Sequence, residues 1–319
     1  MTERLEIQSF EQNPIPKYPA PEPTDSSSSP GRSLLSLLFY LFAGYWLLGD
    51  LENLLLITFV LLLHEGGHFL AMRQVGYRDL GVFFLPLLGA YVSGTKRVVT
   101  QRESAIVLLA GPLPGMLLGA SLYLLMQKGI LPATGPMDIN LRNLTLFLVV
   151  LNGLNLLPVY PLDGGQLLNR IFLDEEGWAS KLFVLLSAAF MGYLAINYRL
   201  YLLLIFPIGL LFRLWKIHVN SQIEKRIEQS GIKTEVDYDA LPDADYWRIR
   251  KILIEENKSI QALAGEHLED YAPAEAQIQQ AVEGQLHRTL VQDLSVFAKI
   301  GILFLWVASV VFPLWIWLG

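Results

Sequence analysis

Seven apolar stretches of membrane-spanning length constrain the fold of this chain more than any other feature. A spanning helix needs about 17–25 mostly apolar residues, and seven stretches come near that length: 33–49, 53–72, 104–127, 143–158, 180–196, 200–217 and 298–318. Charged residues make up 17% of the chain, whereas soluble domains average about 25%. The sequence therefore predicts an all-α polytopic membrane protein with about seven transmembrane helices.

The placement of lysine and arginine predicts how these helices are oriented. If the N-terminus is cytoplasmic and the spans alternate, the outer loops contain only Lys128, Arg142 and Arg199, and the other 21 of the 24 basic residues lie in or beside cytoplasmic segments. Cytoplasmic loops carry the excess of basic residues in membrane proteins. We therefore expect a cytoplasmic N-terminus and an outside C-terminus, with Trp315 and Trp317 as interface anchors.

The polar segments divide the chain around a membrane core, 33–217. Residues 1–32 are rich in proline and serine, and we expect a disordered tail there. Residues 77–100 are interrupted by glycine and proline, and predict a short membrane-associated β-hairpin. Residues 218–292 have helical spacing and predict a small cytoplasmic helical segment, either a solvated linker or a regulatory or partner-binding element, before a C-terminal transmembrane helix in 293–319.

An H-E-x-x-H motif, residues His64 to His68, lies inside the second apolar stretch. Positions i and i+4 of a helix share a face, so both imidazoles can reach one ion. Glu65 can then contact a metal-bound water, which is the arrangement of metalloproteases. Ionisable groups inside a span are costly unless hydrogen bonds or a metal satisfy them. Gly66 and Gly67 would let another backbone or a substrate come close.

A catalytic zinc takes three protein ligands and keeps a position open for water. The chain has no cysteine, so the third ligand must be His, Asp or Glu. His218, His267 and His287 lie in the polar segment, and Glu103 lies at the mouth of a span. Asp163 lies toward the same membrane face as the histidine motif, and its spacing allows two interpretations, a metal ligand or the N-cap of the following helix.

The sequences HEGGH, AGPLPG and NLLPVYPLDGG, in this order, resemble those of the site-2 protease family of intramembrane zinc metalloproteases. The resemblance covers a little over a third of the chain. It implies one Zn²⁺ per chain held by His64, His68 and Asp163, with Glu65 as the catalytic base and Asn155 in contact with the substrate or the oxyanion. It also implies that the hairpin segment FLPLLGAYVSG presents the substrate.

The resemblance has two departures. Many bacterial members carry a PDZ domain between the spans that bear the motifs, and the short loop between the third and fourth stretches has no room for one. Gln166 stands where the family often has His or Arg. Neither departure touches the implied ligands.

The function that the resemblance implies is zinc-dependent hydrolysis of a peptide bond within or near a transmembrane segment, as in regulated intramembrane proteolysis. The implied partners are single-span membrane-protein substrates and the lipid bilayer, with no nucleic acid, and the oligomeric state stays open. We expect a multi-pass protein of a bacterial inner membrane or a thylakoid-like membrane. One alternative is a metal transporter, which would have polar groups at several depths of the helix bundle. The other is a catalytically inactive regulatory homologue.

Overall fold

The computed structural model describes residues 15–19, 30–86, 89–96, 98–134, 139–173, 177–234, 236–286 and 290–318. Over these residues the chain is mostly helical and contains one antiparallel β-hairpin. Its contacts divide it into two compact units. The membrane unit consists of Ser26–Leu211 and Leu290–Gly319, and the helical unit consists of Met1–Asp25 and Phe212–Thr289.

The described elements, in chain order, are α1 (Pro30–Leu48), α2 (Leu51–Gln74), β1 (Arg78–Leu85), β2 (Gly89–Thr95), β3 (Val99–Thr100), α3 (Gln101–Ala110), α4 (Pro112–Gln127), α5 (Leu141–Asn155), α6 (Asp163–Ile171), α7 (Trp178–Asn197), α8 (Ile205–Gln229), α9 (Asp243–Glu256), α10 (Lys258–Ala264), α11 (Glu275–Glu283), β4 (Leu290–Val291) and α12 (Val296–Leu318). Two short 3₁₀ turns, Tyr201–Leu204 and Tyr238–Ala240, precede α8 and α9.

Five helical stretches of the described chain are long and apolar enough to cross a membrane: Gly31–Leu48, Leu51–Gln74, Gln101–Gln127, Trp178–Asn197 and Val296–Pro313. They coincide with five of the predicted spans and support a multi-pass membrane protein. The other two spans stay predictions. Helix α5 has 15 residues and is about 22 Å long, shorter than a bilayer core of about 30 Å. Helix α8 becomes polar in its second half.

The third predicted span is not one continuous helix. It is divided at Gly111 into α3 and α4, because Pro112 has no backbone N–H with which to continue the first helix and is well suited to begin the second. Helix α3 begins with a capping box in which Thr100 and Glu103 each bond the other's backbone N–H. The break lies beside the histidine motif.

The predicted hairpin is present in the segment 77–100. Strands β1 and β2 pair antiparallel, with Val82 opposite Val92 and Phe84 opposite Ala90. Both strands contact α2, and β1 also contacts α1. Two strands alone are marginally stable in water, so the helices hold the hairpin in place. Strand β3 pairs parallel with β4 just before α12 begins.

Helix α2 lies at the centre of the membrane unit, where it contacts α1, α3, α4, α5 and the hairpin. The large apolar side chains that stay exposed lie mainly on the outer helices, among them Trp46 on α1, Tyr193 on α7 and Phe304 on α12. Exposed apolar surface of this extent is unusual for a soluble monomer and is expected for faces that meet lipid.

The helical unit has a core of its own, formed by α9, α10, α11 and the second half of α8. A buried ion pair lies within it, between Arg250 and Glu275. Most of the predicted tail, residues 1–14 and 20–29, lies outside the described residues. Residues 15–19 lie against the helical unit, and 30–32 belong to α1.

Candidate metal centre

Two buried histidines on successive turns of α2 face one point. His64 and His68 are 5% and 8% exposed, and their Nε2 atoms lie 3.1 Å apart. The spacing of four residues places both rings on one face of the helix, as the sequence predicts. This face points into the membrane unit, toward α3, α5 and α6.

The other ring nitrogen of each histidine has an acceptor as its partner. His64 Nδ1 lies 2.8 Å from Asn152 Oδ1 on α5, and His68 Nδ1 lies 2.8 Å from the Val107 carbonyl oxygen on α3. The carbonyl can only accept, and the amide oxygen can only accept, so each Nδ1 carries the hydrogen. In a neutral imidazole the Nε2 lone pair then remains free, and both lone pairs point to the same place.

Asp163 completes the cluster from α6. Its Oδ2 atom lies 3.1 Å from His64 Nε2 and 3.3 Å from His68 Nε2. This oxygen is buried and has no hydrogen-bond donor among the described residues. Asp163 is the first residue of α6, and Leu162 occupies the N-cap position without a side-chain cap. The carboxylate therefore faces the histidines, and it does not cap the helix.

Three lone-pair atoms at the corners of a small triangle fit a metal ion. In a tetrahedral zinc site with bonds of about 2.0–2.1 Å, neighbouring ligand atoms lie about 3.3 Å apart, and the sides of this triangle measure 3.1, 3.1 and 3.3 Å. Without a metal ion or an added proton the lone pairs would repel one another and the buried oxygen would have no partner. His64, His68 and Asp163 are thus a donor set that could hold one metal ion.

The turn that carries Asp163 is held from several sides. Trp306 Nε1 on α12 donates to the Leu156 carbonyl at 2.9 Å, and the Tyr160 backbone N–H donates to Ser187 Oγ at 3.1 Å. Gln166 Nε2 donates to the Pro161 carbonyl at 2.9 Å. Gln166, which departs from the family pattern, therefore closes this turn. The turn also contains a cis peptide bond between Tyr160 and Pro161.

Glycines around the cluster permit the close approach of its helices. A Cβ atom on Gly67 would lie 2.0 Å from the Ala110 carbonyl oxygen, and one on Gly111 would lie 2.3 Å from His68 Nε2. On Gly115 it would lie 2.1 Å from Asn152 Nδ2, and on Gly164 it would lie 2.1 Å from the Leu156 carbonyl oxygen. Each of these glycines is needed because any side chain would displace a ligand or its support.

Glu65 and Gly66 lie next to the ligands on α2. Glu65 is 6% exposed, and it lies close to the two histidines, to Asp163 and to the backbone N–H of Val92 in β2. A Cβ atom on Gly66 would meet nothing within 4 Å. The two central glycines of HEGGH therefore differ: Gly67 packs against the α3–α4 break, and Gly66 borders open space.

The two asparagines of α5 also differ. Asn155, the predicted substrate contact, is half-buried, and its Nδ2 makes a hydrogen bond of 3.3 Å to the Leu151 carbonyl. Asn152, one turn earlier, is 1% exposed and holds His64. Asn152 is not among the site residues predicted from the sequence. Its one signal is its spacing of three residues from Asn155, which a helix places on a neighbouring part of the same face.

Glu103 and His267 lie away from this cluster. Glu103 receives a hydrogen bond from Lys96 and belongs to the capping box of α3. The His267 carbonyl accepts from Arg250 inside the helical unit. The side chain of His218 and all of His287 lie outside the described residues.

Comparison with known proteins gives relatives of one kind. The chain is 30% identical over 129 residues to stage IV sporulation protein FB of Bacillus subtilis, a match that covers 40% of the chain and 43% of the relative. It is 31% identical over 127 residues to a zinc metalloprotease of Methanocaldococcus jannaschii, covering 39% and 36%. It is 32% identical over 168 residues to a putative zinc metalloprotease of Synechocystis, covering 51% and 43%.

These three relatives are members of the site-2 protease family. The resemblance to the site-2 protease family is confirmed. No family model matches the chain. The chain spans less than half the length of each of these curated relatives. The similarity to site-2 proteases therefore rests on part of each relative.

Proposed function

We propose that the chain is a zinc-dependent intramembrane endopeptidase of the site-2 protease type. The observation that carries this proposal is the convergence of His64 Nε2, His68 Nε2 and Asp163 Oδ2 on one point, with the Glu65 carboxylate one residue away. In this proposal the three residues hold one Zn²⁺, and Glu65 is the general base. When bound, the zinc would supply Lewis-acid activation of the attacking water and of the scissile carbonyl.

The proposed reaction is hydrolysis of one peptide bond. Glu65 accepts a proton from the attacking water while the water oxygen forms a bond to the carbonyl carbon of the substrate. The C–N bond then breaks, and Glu65 passes its proton to the leaving amine nitrogen. Asn155 is proposed to donate an amide hydrogen to the oxyanion that forms meanwhile; loss of one donor of that kind costs about 2.7–4 kcal/mol.

A helical substrate must unwind before its amide can react, because helical hydrogen bonds shield the peptide bond. In the membrane, each freed N–H and C=O needs a new partner. One edge of strand β2 pairs with β1, and its other edge pairs with none of the described strands. Strand β2 also contacts α2, which carries Glu65. We propose that an unwound substrate segment pairs with the other edge of β2, and that the open space beside Gly66 receives it.

The proposed substrates are single-span membrane proteins, and the proposed place of action is a bacterial inner membrane or a thylakoid-like membrane. The bias of basic residues supports a cytoplasmic N-terminus and an outside C-terminus. Water must reach the cluster from the cytoplasmic side in this orientation.

Cleavage of a model single-span substrate by the purified chain in detergent tests the proposal. We expect cleavage by the unmodified chain in the presence of zinc, none with Glu65→Gln, and unchanged cleavage with Glu228→Gln, a matched change at an exposed position of α8. Zinc content and zinc transport into proteoliposomes, measured with the same chains, separate the alternatives. A transporter would move zinc equally well with Glu65→Gln and would cleave nothing. An inactive homologue would bind zinc and would neither transport it nor cleave the substrate. Equal cleavage by the unmodified and Glu65→Gln chains would refute Glu65 as the base.

A further inference from the structure

A short extended segment, residues 15–19, lies on the surface of the helical unit, which binds three of its backbone carbonyls by hydrogen bonds. Trp247 Nε1 donates to the Ile15 carbonyl at 2.7 Å, and the Tyr238 hydroxyl donates to the Tyr18 carbonyl at 2.6 Å. The Tyr271 hydroxyl donates to the Pro16 carbonyl. Three aromatic side chains of the unit thus bind three backbone carbonyls of one short segment.

The Lys17 ammonium occupies a site made of backbone oxygens. Its Nζ donates to the carbonyls of Tyr238, Asp239 and Leu241 at 2.6, 2.8 and 2.7 Å. These oxygens lie in and just after the 3₁₀ turn Tyr238–Ala240, and the Tyr238 carbonyl also accepts from the Leu241 backbone N–H. An ammonium has three hydrogens, and here each has one acceptor.

Two further contacts complete the recognition of Lys17. Its backbone N–H donates to Asp243 Oδ1 at 3.1 Å, at the first turn of α9. Its ammonium also lies 5.3 Å from the centre of the Tyr238 ring, within the range of a cation–π contact. The site therefore binds both the main chain and the side chain of Lys17.

The Tyr238 hydroxyl is suited to its role as a donor. Burial, together with the nearby carboxylates of Glu283 and Glu275, raises the pKa of Tyr238. The hydroxyl consequently keeps its hydrogen at neutral pH. Tyr271 is affected in the same direction, because burial and Asp243 raise its pKa.

The segment is bound as a ligand would be: Tyr18 packs against the core, and the flanking apolar residues stay outside it. Ile15, Pro16 and Pro19 are exposed, and Ile15 keeps 38% of its surface. A strap that stabilised the unit by apolar burial would place its isoleucine inside. Instead the Tyr18 and Tyr271 rings pack edge to face with their centres 5.5 Å apart. The Trp247 and Tyr271 rings stack with their centres 5.7 Å apart. Aromatic side chains that line a groove and bind the carbonyls of an extended, proline-containing segment are a recurring mode of peptide recognition.

We propose that the helical unit is a peptide-binding module for extended segments that contain a lysine next to proline, and that residues 15–19 are its own bound ligand. The specificity comes from the three carbonyl oxygens that receive the lysine ammonium. A tethered ligand has an effective concentration on the order of millimolar, so the site is filled by its own segment until that segment is weakened or outcompeted.

Binding of a labelled peptide with the sequence of residues 13–20, NPIPKYPA, tests the proposal. The partner is the full chain with Lys17→Met, in which the resident segment loses its ammonium and the groove stays intact. By fluorescence anisotropy we expect saturable binding to this variant at least tenfold tighter than to the unmodified chain, and no binding of a peptide with methionine in place of lysine. No saturable binding to a Lys17→Met chain of unchanged circular dichroism and elution volume would overturn the proposal.

Trypsin gives a second measurement that does not depend on the added peptide. It can cleave the Lys17–Tyr18 bond, and the docked ammonium should protect that bond in the native chain. Lys17→Arg keeps the charge and the cleavage site, but a planar guanidinium cannot reproduce the compact ammonium among three carbonyls. We expect cleavage after residue 17 at least tenfold faster in Lys17→Arg than in the unmodified chain. Equal rates in the two chains would show that the lysine is not held and would contradict the proposal.

Discussion

The Asn152 amide oxygen accepts a hydrogen bond from His64 Nδ1 at 2.8 Å, across the contact between α5 and α2. Asn152 is fixed in turn, because its Nδ2 donates to the Leu148 carbonyl at 2.7 Å. The direction of the amide decides the tautomer of His64, and the tautomer decides that the Nε2 lone pair faces Asp163. Asn152 thereby orients a candidate metal ligand.

Asn152→Ala is expected to weaken zinc binding by 10–100-fold, the usual effect of losing such an outer partner. Asn155→Ala is a matched change one turn later on the same helix. It should leave zinc affinity unchanged, because the described hydrogen bond of the Asn155 side chain goes to the Leu151 carbonyl and not to the metal site. Competition with a chelator of known affinity measures both. Equal zinc affinity in the Asn152→Ala and unmodified chains would contradict the role given to Asn152.

The two central glycines of HEGGH should respond differently to the same substitution. In Gly67→Ala the new Cβ would lie 2.0 Å from the Ala110 carbonyl oxygen, so α2 and the α3–α4 break must separate. We expect a loss of at least about 1–3 kcal/mol of stability, together with weaker zinc binding. In Gly66→Ala the new Cβ would meet nothing within 4 Å. This variant should therefore gain up to about 1 kcal/mol of stability from the higher helix propensity of alanine.

Thermal unfolding of the two variants in one detergent measures this difference. The comparison is internally controlled because the residues are neighbours on one helix. Equal melting temperatures would mean that the close contact at Gly67 is absent.

Trp306→Phe removes one donor and keeps an aromatic ring. The Leu156 carbonyl, buried with its residue at 1% exposure, would lose the Trp306 Nε1–H. An unsatisfied buried acceptor costs about 1–3 kcal/mol, and the turn that carries Asp163 would loosen. We expect a lower melting temperature and weaker zinc binding.

Trp46→Phe is the matched control, since Trp46 is 81% exposed on α1. It should leave both the melting temperature and zinc affinity near those of the unmodified chain. If Trp306→Phe behaved like Trp46→Phe, the support of the turn by α12 would be unnecessary for the site.

The helical unit should lose stability in acid through Glu275. Burial alone would raise the pKa of this carboxyl, but hydrogen bonds from Arg250, Tyr246 and the Ala272 backbone lower it on balance. A lowered folded-state pKa gives stability that is present above the unfolded value, near 4.5, and is lost as the pH falls through the folded value. We expect the unit to be stable at neutral pH and to weaken progressively below about pH 4.5.

Glu275→Gln tests the origin of that loss. At neutral pH the substitution leaves Arg250 buried without its charge partner, which typically costs about 3–5 kcal/mol. Denaturant unfolding at several pH values should then show a smaller acid dependence in the variant than in the unmodified chain. The same acid dependence in both would assign it to other carboxyl groups.

Local sequence patterns predict much of this site. The i, i+4 rule places His64 and His68 on one face, and five of the expected spans reappear as helices with enough apolar residues to cross a membrane. Spacing alone does not decide whether Asp163 is a metal ligand or a helix N-cap, because both interpretations need a residue at the start of a helix. Only the arrangement of three helices in space shows its carboxylate directed at the histidines.

Other features depend on contacts between distant residues, which no local pattern contains. Asn152 and His64 are 88 positions apart, and Trp306 and Leu156 are 150 apart. The break of the third predicted span at Pro112 has a local signal, yet the apolar composition of the span favours one long helix. Residues 15–19 have the composition of a disordered tail, and their binding depends on Trp247 and its neighbours more than 200 positions later.

The fixed tautomers of His64 and His68 have a thermodynamic consequence. Because each Nδ1 keeps its hydrogen, the two Nε2 atoms and the Asp163 oxygen lie within 3.3 Å of one another in the folded chain and compete for one cation, a proton or a metal ion. An ion held by all three atoms binds the folded chain more tightly than the unfolded one, in which Asp163 is 95 residues from His68. Folding and ion binding are therefore linked, and a free zinc concentration 1,000 times the dissociation constant would add about 4.1 kcal/mol to the stability of the membrane unit.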